Sequence, residues 1–206
     1  MGHSSTPEFR SFHALRIKGF GSVDVISEIA GLAPDDADLH LQALGDAGHA
    51  QFRDKRAMWQ LTADGREAHG EALAADLEGL DVEATFGDVY PDFVRVNVAF
   101  KELCGAWQLR DGEPNDHSDA DYDGGVIDRL VDMHVQAAPL VDAMGQRVSR
   151  FAPYRGRLDA ALDALRDGDT SMFTGVMCNS YHDVWMELHE DLIVTQGIDR
   201  QAEGSF

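Results

Sequence analysis

Glycine punctuation constrains this chain more than any other feature. Gly19, Gly21, Gly31 and Gly48 cut the first fifty residues into pieces that can hold only short helices. Residues 8–19 read as the first, with Phe9, Phe12, Leu15 and Ile17 on its apolar side. Ser22 then stands as an N-cap before Val23–Ala30, where Val25, Ile26 and Ile29 make a buried stripe and Gly31 closes the helix. Pro34-Asp35-Asp36 opens a third helix, with proline in the first turn and acids at the positive end of the dipole. Ala37, Leu41 and Leu44 repeat at helical spacing on its inner face, and Gly48 stops it.

The period then changes. Ala50–Arg53 and Ala57–Leu61 read as two short strands around the tip Asp54-Lys55-Arg56. Thr62 caps a further helix that carries Asp64 and Glu67 in its first turn and runs through Leu73 and Leu77 towards residue 80. Helix, helix, turn, helix, two-stranded wing, helix is the order of a winged helix-turn-helix. The stretches Val25–Ala30, Leu41-Gln42-Ala43-Leu44-Gly45-Asp46-Ala47-Gly48 and Trp59-Gln60-Leu61-Thr62-Ala63-Asp64-Gly65-Arg66 resemble the MarR-like class of bacterial regulators, over roughly residues 10–80. The resemblance implies a DNA-binding transcription regulator that works as a homodimer. It implies no activity for the remainder.

From residue 81 onward the chain reads as mainly helical. Segments are expected at Phe93–Trp107, at Val126–Val148 with an interruption at Pro139, at Arg157–Arg166 and at Thr170–Gly197. Residues 111–123 read as a polar loop, and residues 79–92 as the domain junction. The expected fold class is therefore mainly α with a small β-wing: a winged helix-turn-helix domain over 1–80 and an acidic all-α domain over 81–206 for dimerisation or ligand sensing.

Charge decides where a polyanion can dock. The formal net charge is -20, which opposes general affinity for nucleic acid. The excess is uneven: residues 1–72 hold eleven acids and seven bases, residues 73–206 twenty-six acids and ten bases. Only the N-terminal part suits DNA. Arg53, Lys55 and Arg56 on the wing, with Arg10, Arg16 and Lys18 around the first helix, are the candidate phosphate contacts. His40 and Gln42 on the third helix are the candidate base readers, and Gln42 suits adenine. Asp35, Asp36 and Asp38 beside them repel phosphate. That conflict keeps a second reading in play, in which the winged helix docks a partner protein, such as an enzyme, instead of DNA.

Three further clusters bear on chemistry. Asp119-Ala120-Asp121-Tyr122-Asp123-Gly124 begins like a calcium loop, but Leu130 stands where the twelfth-position Glu is required. It reads as an Asp-rich helix entry capped by Asp121 or Asp123. Tyr181, His182, Trp185 and His189 lie on one helix, and Trp107 with Arg110 ends another. These six form the expected pocket for a small-molecule effector, with Arg110 as an anchor for an anionic group. Cys104 and Cys178, without a CxxC, read as core thiols. No phosphate-binding loop, nucleophile elbow or HExxH is found, so no enzyme activity, cofactor or metal is expected. No apolar run reaches the roughly 20 residues of a membrane span, and Met1 to Ser5 has no export signal. The expectation is a cytoplasmic protein.

Overall fold

The computed structural model describes residues 2–199, which are mainly helical with a small three-stranded antiparallel sheet. Among these residues no helix is long and apolar enough to cross a membrane. The chain divides into two compact units: residues 1–85, 145–153 and 187–206, and residues 86–144 and 154–186.

In the first unit, α1 (Pro7–Lys18) starts where the Thr6 hydroxyl accepts the Phe9 N–H. Strand β1 (Phe20–Gly21) precedes α2 (Val23–Ala30), whose first turn is capped by Ser22 and whose end is closed by left-handed Gly31. Helix α3 (Pro34–Asp46) leads into β2 (Ala50–Arg53) and β3 (Met58–Leu61), and α4 (Ala63–Asp76) follows. The sheet order is β1-β3-β2, all antiparallel, with Phe20 opposite Gln60 and Phe52 opposite Trp59. Strand β1 is an addition to the sequence reading: two residues carry no alternation to detect. Phe12, Leu15, Ile26, Ile29, Leu41 and Leu61 form the core, with Trp59 and Leu44 packed against it.

The segment Thr62-Ala63-Asp64-Gly65 has a clear physical reason. The Thr62 N–H and hydroxyl bond the carbonyls of His49 and Gly48, while the same hydroxyl accepts the Gly65 N–H and caps α4. The base of the hairpin therefore lies on the first turn of α4, and a Cβ at Gly65 would collide with the His49 carbonyl.

Helix α5 (Val82–Phe86) lies in the first unit up to Thr85 and ends at the first residue of the second, within the stretch expected to be a loop. Then come α6 (Tyr90–Gln108), the hairpin of β4 (Leu109–Arg110) and β5 (Glu113–Pro114), and α7 (Ala120–Arg147). The polar loop expected over 111–123 thus holds a strand and the start of a helix. Pro139 does not interrupt α7. It removes a donor from the carbonyl four residues earlier, that of Val135, a residue on the exposed side of the helix. A 3-10 turn (Ser149–Phe151), which belongs to the first unit, leads into α8 (Ala152–Arg166), most of which belongs to the second. The single helix expected over 170–197 is two: α9 (Ser171–Thr174) and α10 (Tyr181–Gln196). Between them Met177 and Asn179 take positive φ angles, which no continuing helix allows. Cys178 lies in this exposed connection, so it is not a core thiol. Helix α10 gives its first residues to the second unit and its last to the first.

Gly65→Ala is expected to destabilise the protein by about 1–3 kcal/mol through overpacking, although a helix interior normally favours alanine. Urea unfolding of the two proteins reads the sign directly.

Candidate functional site

The outward face of α3 carries Asp35, Asp36, Leu39, Gln42 and Asp46, all exposed. Leu39 is 65% exposed, although it is a large apolar residue. The Gln42 amide donates to Asp38 within the same helix at 2.7 Å. His40 turns away from this face. Its Nδ1 is 2.9 Å from the Ser11 hydroxyl of α1, and its side chain is only 12% exposed. Of the two expected base readers, Gln42 is therefore on the open surface and His40 is packed between helices. Arg53, Lys55 and Arg56 are exposed at the β2–β3 tip, where Ala57 takes a positive φ to close the turn.

Of the other expected phosphate contacts, Arg10 is half-buried, and Lys18 and Arg16 are committed elsewhere. The Lys18 ammonium donates to Glu187 Oε1 at 2.6 Å, and Arg16 Nη1 to Glu190 Oε1 at 3.1 Å. Both carboxylates belong to α10, whose acidic side thus neutralises the basic end of α1. Among the expected phosphate contacts the fully exposed ones are those of the hairpin tip.

Beneath these pairs lies a buried polar network that reasoning from sequence missed. His13 Nε2 donates to Asp191 Oδ1 at 2.9 Å, and His13 Nδ1 meets His69 Nε2 at 3.0 Å. Arg150 spans both carboxylates: Nε reaches Asp191 at 3.4 Å and Nη1 reaches Asp76 at 3.2 Å. Thr195 donates its hydroxyl to Asp191, while Ser5 and His3 reach Asp76. Burial alone would raise the Asp191 carboxyl. The charges of His13 and Arg150, with hydrogen bonds from His13 and Thr195, outweigh it and hold the group at about 2. His69 is pushed down from its ordinary 6.5 to about 3, first by burial and then by neighbouring positive charge. Its ring is neutral at neutral pH, and one proton fills the contact between the two imidazoles. No local signal in the sequence joins these residues; His13 and Asp191 are 178 positions apart.

The six residues expected to line an effector pocket separate into different environments. Tyr181 and Trp185 are fully buried core. The Trp185 ring stacks on Phe93 at 5.0 Å and lies 5.2 Å from Phe100, and its Nε1–H donates to Asn97 at 2.9 Å. The Tyr181 hydroxyl meets His134 Nδ1, whose other nitrogen pairs with Asp159. Trp107 stacks on Phe173 at 4.6 Å and packs on His117. Arg110 pairs with Asp119 and lies over the Tyr122 ring. His182 is half-buried beside Phe100 and held below its ordinary pKa by burial. His189 is buried, in the part of α10 that belongs to the first unit. Trp185 is core rather than the wall of an open pocket, and its partners differ from those of Trp107 and Arg110.

The Asp-rich entry to α7 is also spent on structure. Asp119, rather than Asp121 or Asp123, accepts the Tyr122 N–H as the cap. Asp123 is buried and accepts from Asn115 and His117. Among the described residues no group of three or more His, Cys, Asp or Glu side chains could hold a metal ion. Burial pushes the Cys104 thiol up to about 12, which makes it a poor nucleophile. Comparison with family models, curated proteins and solved structures finds no match to this chain.

Two outcomes test this arrangement. Trp185→Ala is expected to cost about 3–5 kcal/mol of unfolding free energy, as for a fully packed ring. His69 makes stability depend on pH: below 6.5 the unfolded chain takes up a proton that the folded ring refuses until about 3. Stability then falls by about 1.4 kcal/mol per pH unit as pH drops through that window. Asp191 works at lower pH, with its contribution lost as pH falls towards 2. Urea midpoints from pH 7 to about 4 are expected to flatten in His69→Gln, and an unchanged slope would exclude His69 as its source.

Proposed function

We propose that residues 7–76 form a winged helix-turn-helix and that the protein is a MarR-like transcriptional regulator. The observation that carries this is the chain order α1-β1-α2-α3-β2-β3-α4 around a β1-β3-β2 sheet, with an exposed basic hairpin tip and an open face on α3. In such a domain α3 enters the major groove and the hairpin reaches the flanking backbone. Arg53, Lys55 and Arg56 grip phosphates, and Gln42 reads a base edge once it releases Asp38. The protein acts as a homodimer on two half-sites, with the helical remainder serving dimerisation or sensing.

The acids on α3 favour one other reading. A face that presents Leu39 among Asp35, Asp36 and Asp46 suits a basic, partly apolar protein surface, and in that case α3 docks a partner protein.

Selection of bound fragments from genomic DNA, followed by titration at several salt concentrations, separates the two readings. The regulator binds a defined fragment, and Arg53→Ala with Lys55→Ala and Arg56→Ala weakens binding on every sequence while the salt slope drops by about 0.9 per lost phosphate contact. Binding unchanged by the triple replacement would remove the hairpin from the interface. No selected fragment, together with a partner protein whose capture is lost on Leu39→Arg, would establish the second reading.

A further inference from the structure

A cavity of about 520 Å³ opens in the first unit between α1, α3 and α4. Its walls are apolar: Phe9 and Phe12 from α1, Ala43 and Leu44 from α3, and Ala72 and Ala75 from α4. The volume falls within the range of small-molecule sites, where apolar walls hold the body of a ligand and a few polar groups orient it. The polar side chains among them are Thr6, Glu8, His40 and Asp76. Glu8 and Asp76 line the cavity, and none of the described residues lining it is Lys or Arg.

The two carboxylates differ in setting. Glu8 is exposed at the mouth, with its oxygen 3.9 Å from His40 Nε2. The Asp76 side chain is only 6% exposed, and its hydrogen bonds from Ser5, His3 and Arg150 all fall on Oδ2. A carboxylate accepts at both oxygens, and a charge-assisted bond from an ammonium N–H is the strongest partner for the second. Phe9 and Phe12 add aromatic surface, which attracts a cation as well as a hydrocarbon. An anionic ligand would meet the Glu8 carboxylate and the open edge of Asp76, whose charge Arg150 balances from behind, with no Lys or Arg among the lining residues to receive it.

We propose that the cavity between α1, α3 and α4 binds a hydrophobic organic cation, an aryl- or alkyl-ammonium compound, with its body on Phe9 and Phe12 and its head towards Glu8 and Asp76. One wall is α3, so an occupant bears directly on the helix that carries the open face. The proposal stands on the cavity and does not require DNA binding.

Calorimetric titration of the full chain with phenethylammonium, against 3-phenylpropionate as the anion of similar shape, tests it. The ammonium is expected to saturate with a dissociation constant below about 10 mM, and the carboxylate to bind at least about tenfold more weakly. Ala43 and Ala75 are exposed, so Ala43→Phe and Ala75→Phe fill the cavity without disturbing the core, and each is expected to abolish binding. Glu8→Gln, at an exposed position, is expected to weaken the ammonium by roughly three- to tenfold. Failure of the ammonium to saturate, equal affinity for the anion, or binding that survives both phenylalanine replacements would overturn the assignment.

Discussion

Arg150 is the group on which the first unit depends. A guanidinium removed from water costs several kcal/mol unless it is fully paired, and this one is 4% exposed. It is shared by Asp76 of α4 and Asp191 of α10, with Thr195 accepting from Nη2. His13 then ties Asp191 to α1, and His69 completes the chain of contacts back to α4. Four segments far apart in sequence are held by one set of charges, and removal of Arg150 would leave two buried carboxylates without their shared cation. A chain ending after α4 would keep His13, His69 and Asp76 without Asp191 or Arg150. The fold of the first eighty residues is therefore completed by residues from the second half of the chain.

Local chemistry made the first eighty residues readable. Ser22 and Thr62 cap the helices that follow them, Gly31 takes the left-handed turn, and the alternation at 50–53 and 57–61 marks a hairpin. Each of these acts within about four residues, which is the range over which a sequence reports directly on its backbone. The same range explains the misses nearby. Strand β1 has two residues and exists because β3 pairs with it. His40 falls on the side of α3 next to α1, and its ring turns in to meet Ser11.

The second half was readable as helices but not as a site. Continuous apolar periodicity over 170–197 hides the left-handed residues Met177 and Asn179, because neither is a glycine. The proline in α7 was expected to break a helix that tolerates it on an exposed side. The carboxylates of α10 were the larger difficulty. Glu187, Glu190 and Asp191 serve Lys18, Arg16 and the His13–Arg150 network. Such pairs form across more than 160 positions, and no spacing rule reaches that far. The aromatic residues chosen as pocket walls failed for a related reason: Trp and Tyr are as well suited to a core as to a ligand, and only packing tells the two apart.

The internal pairing also changes what the net charge means. A charge of -20 spread evenly would set the whole surface against a polyanion. Here Glu187, Glu190 and Asp191 are matched by cations on the same unit, so part of the acidic excess of α10 is spent inside the fold. The same pairing engages the charges of Arg16 and Lys18. Arg53, Lys55 and Arg56 remain as an exposed basic cluster, in a unit whose α3 has an acidic open face. Under the regulator reading, phosphate contact is concentrated at one hairpin tip and opposed by Asp35, Asp36 and Asp46. Screening by salt would then weaken the attraction and the repulsion together. The affinity of such a domain would rest on paired half-sites more than on any single one, because each half-site alone offers few favourable charges.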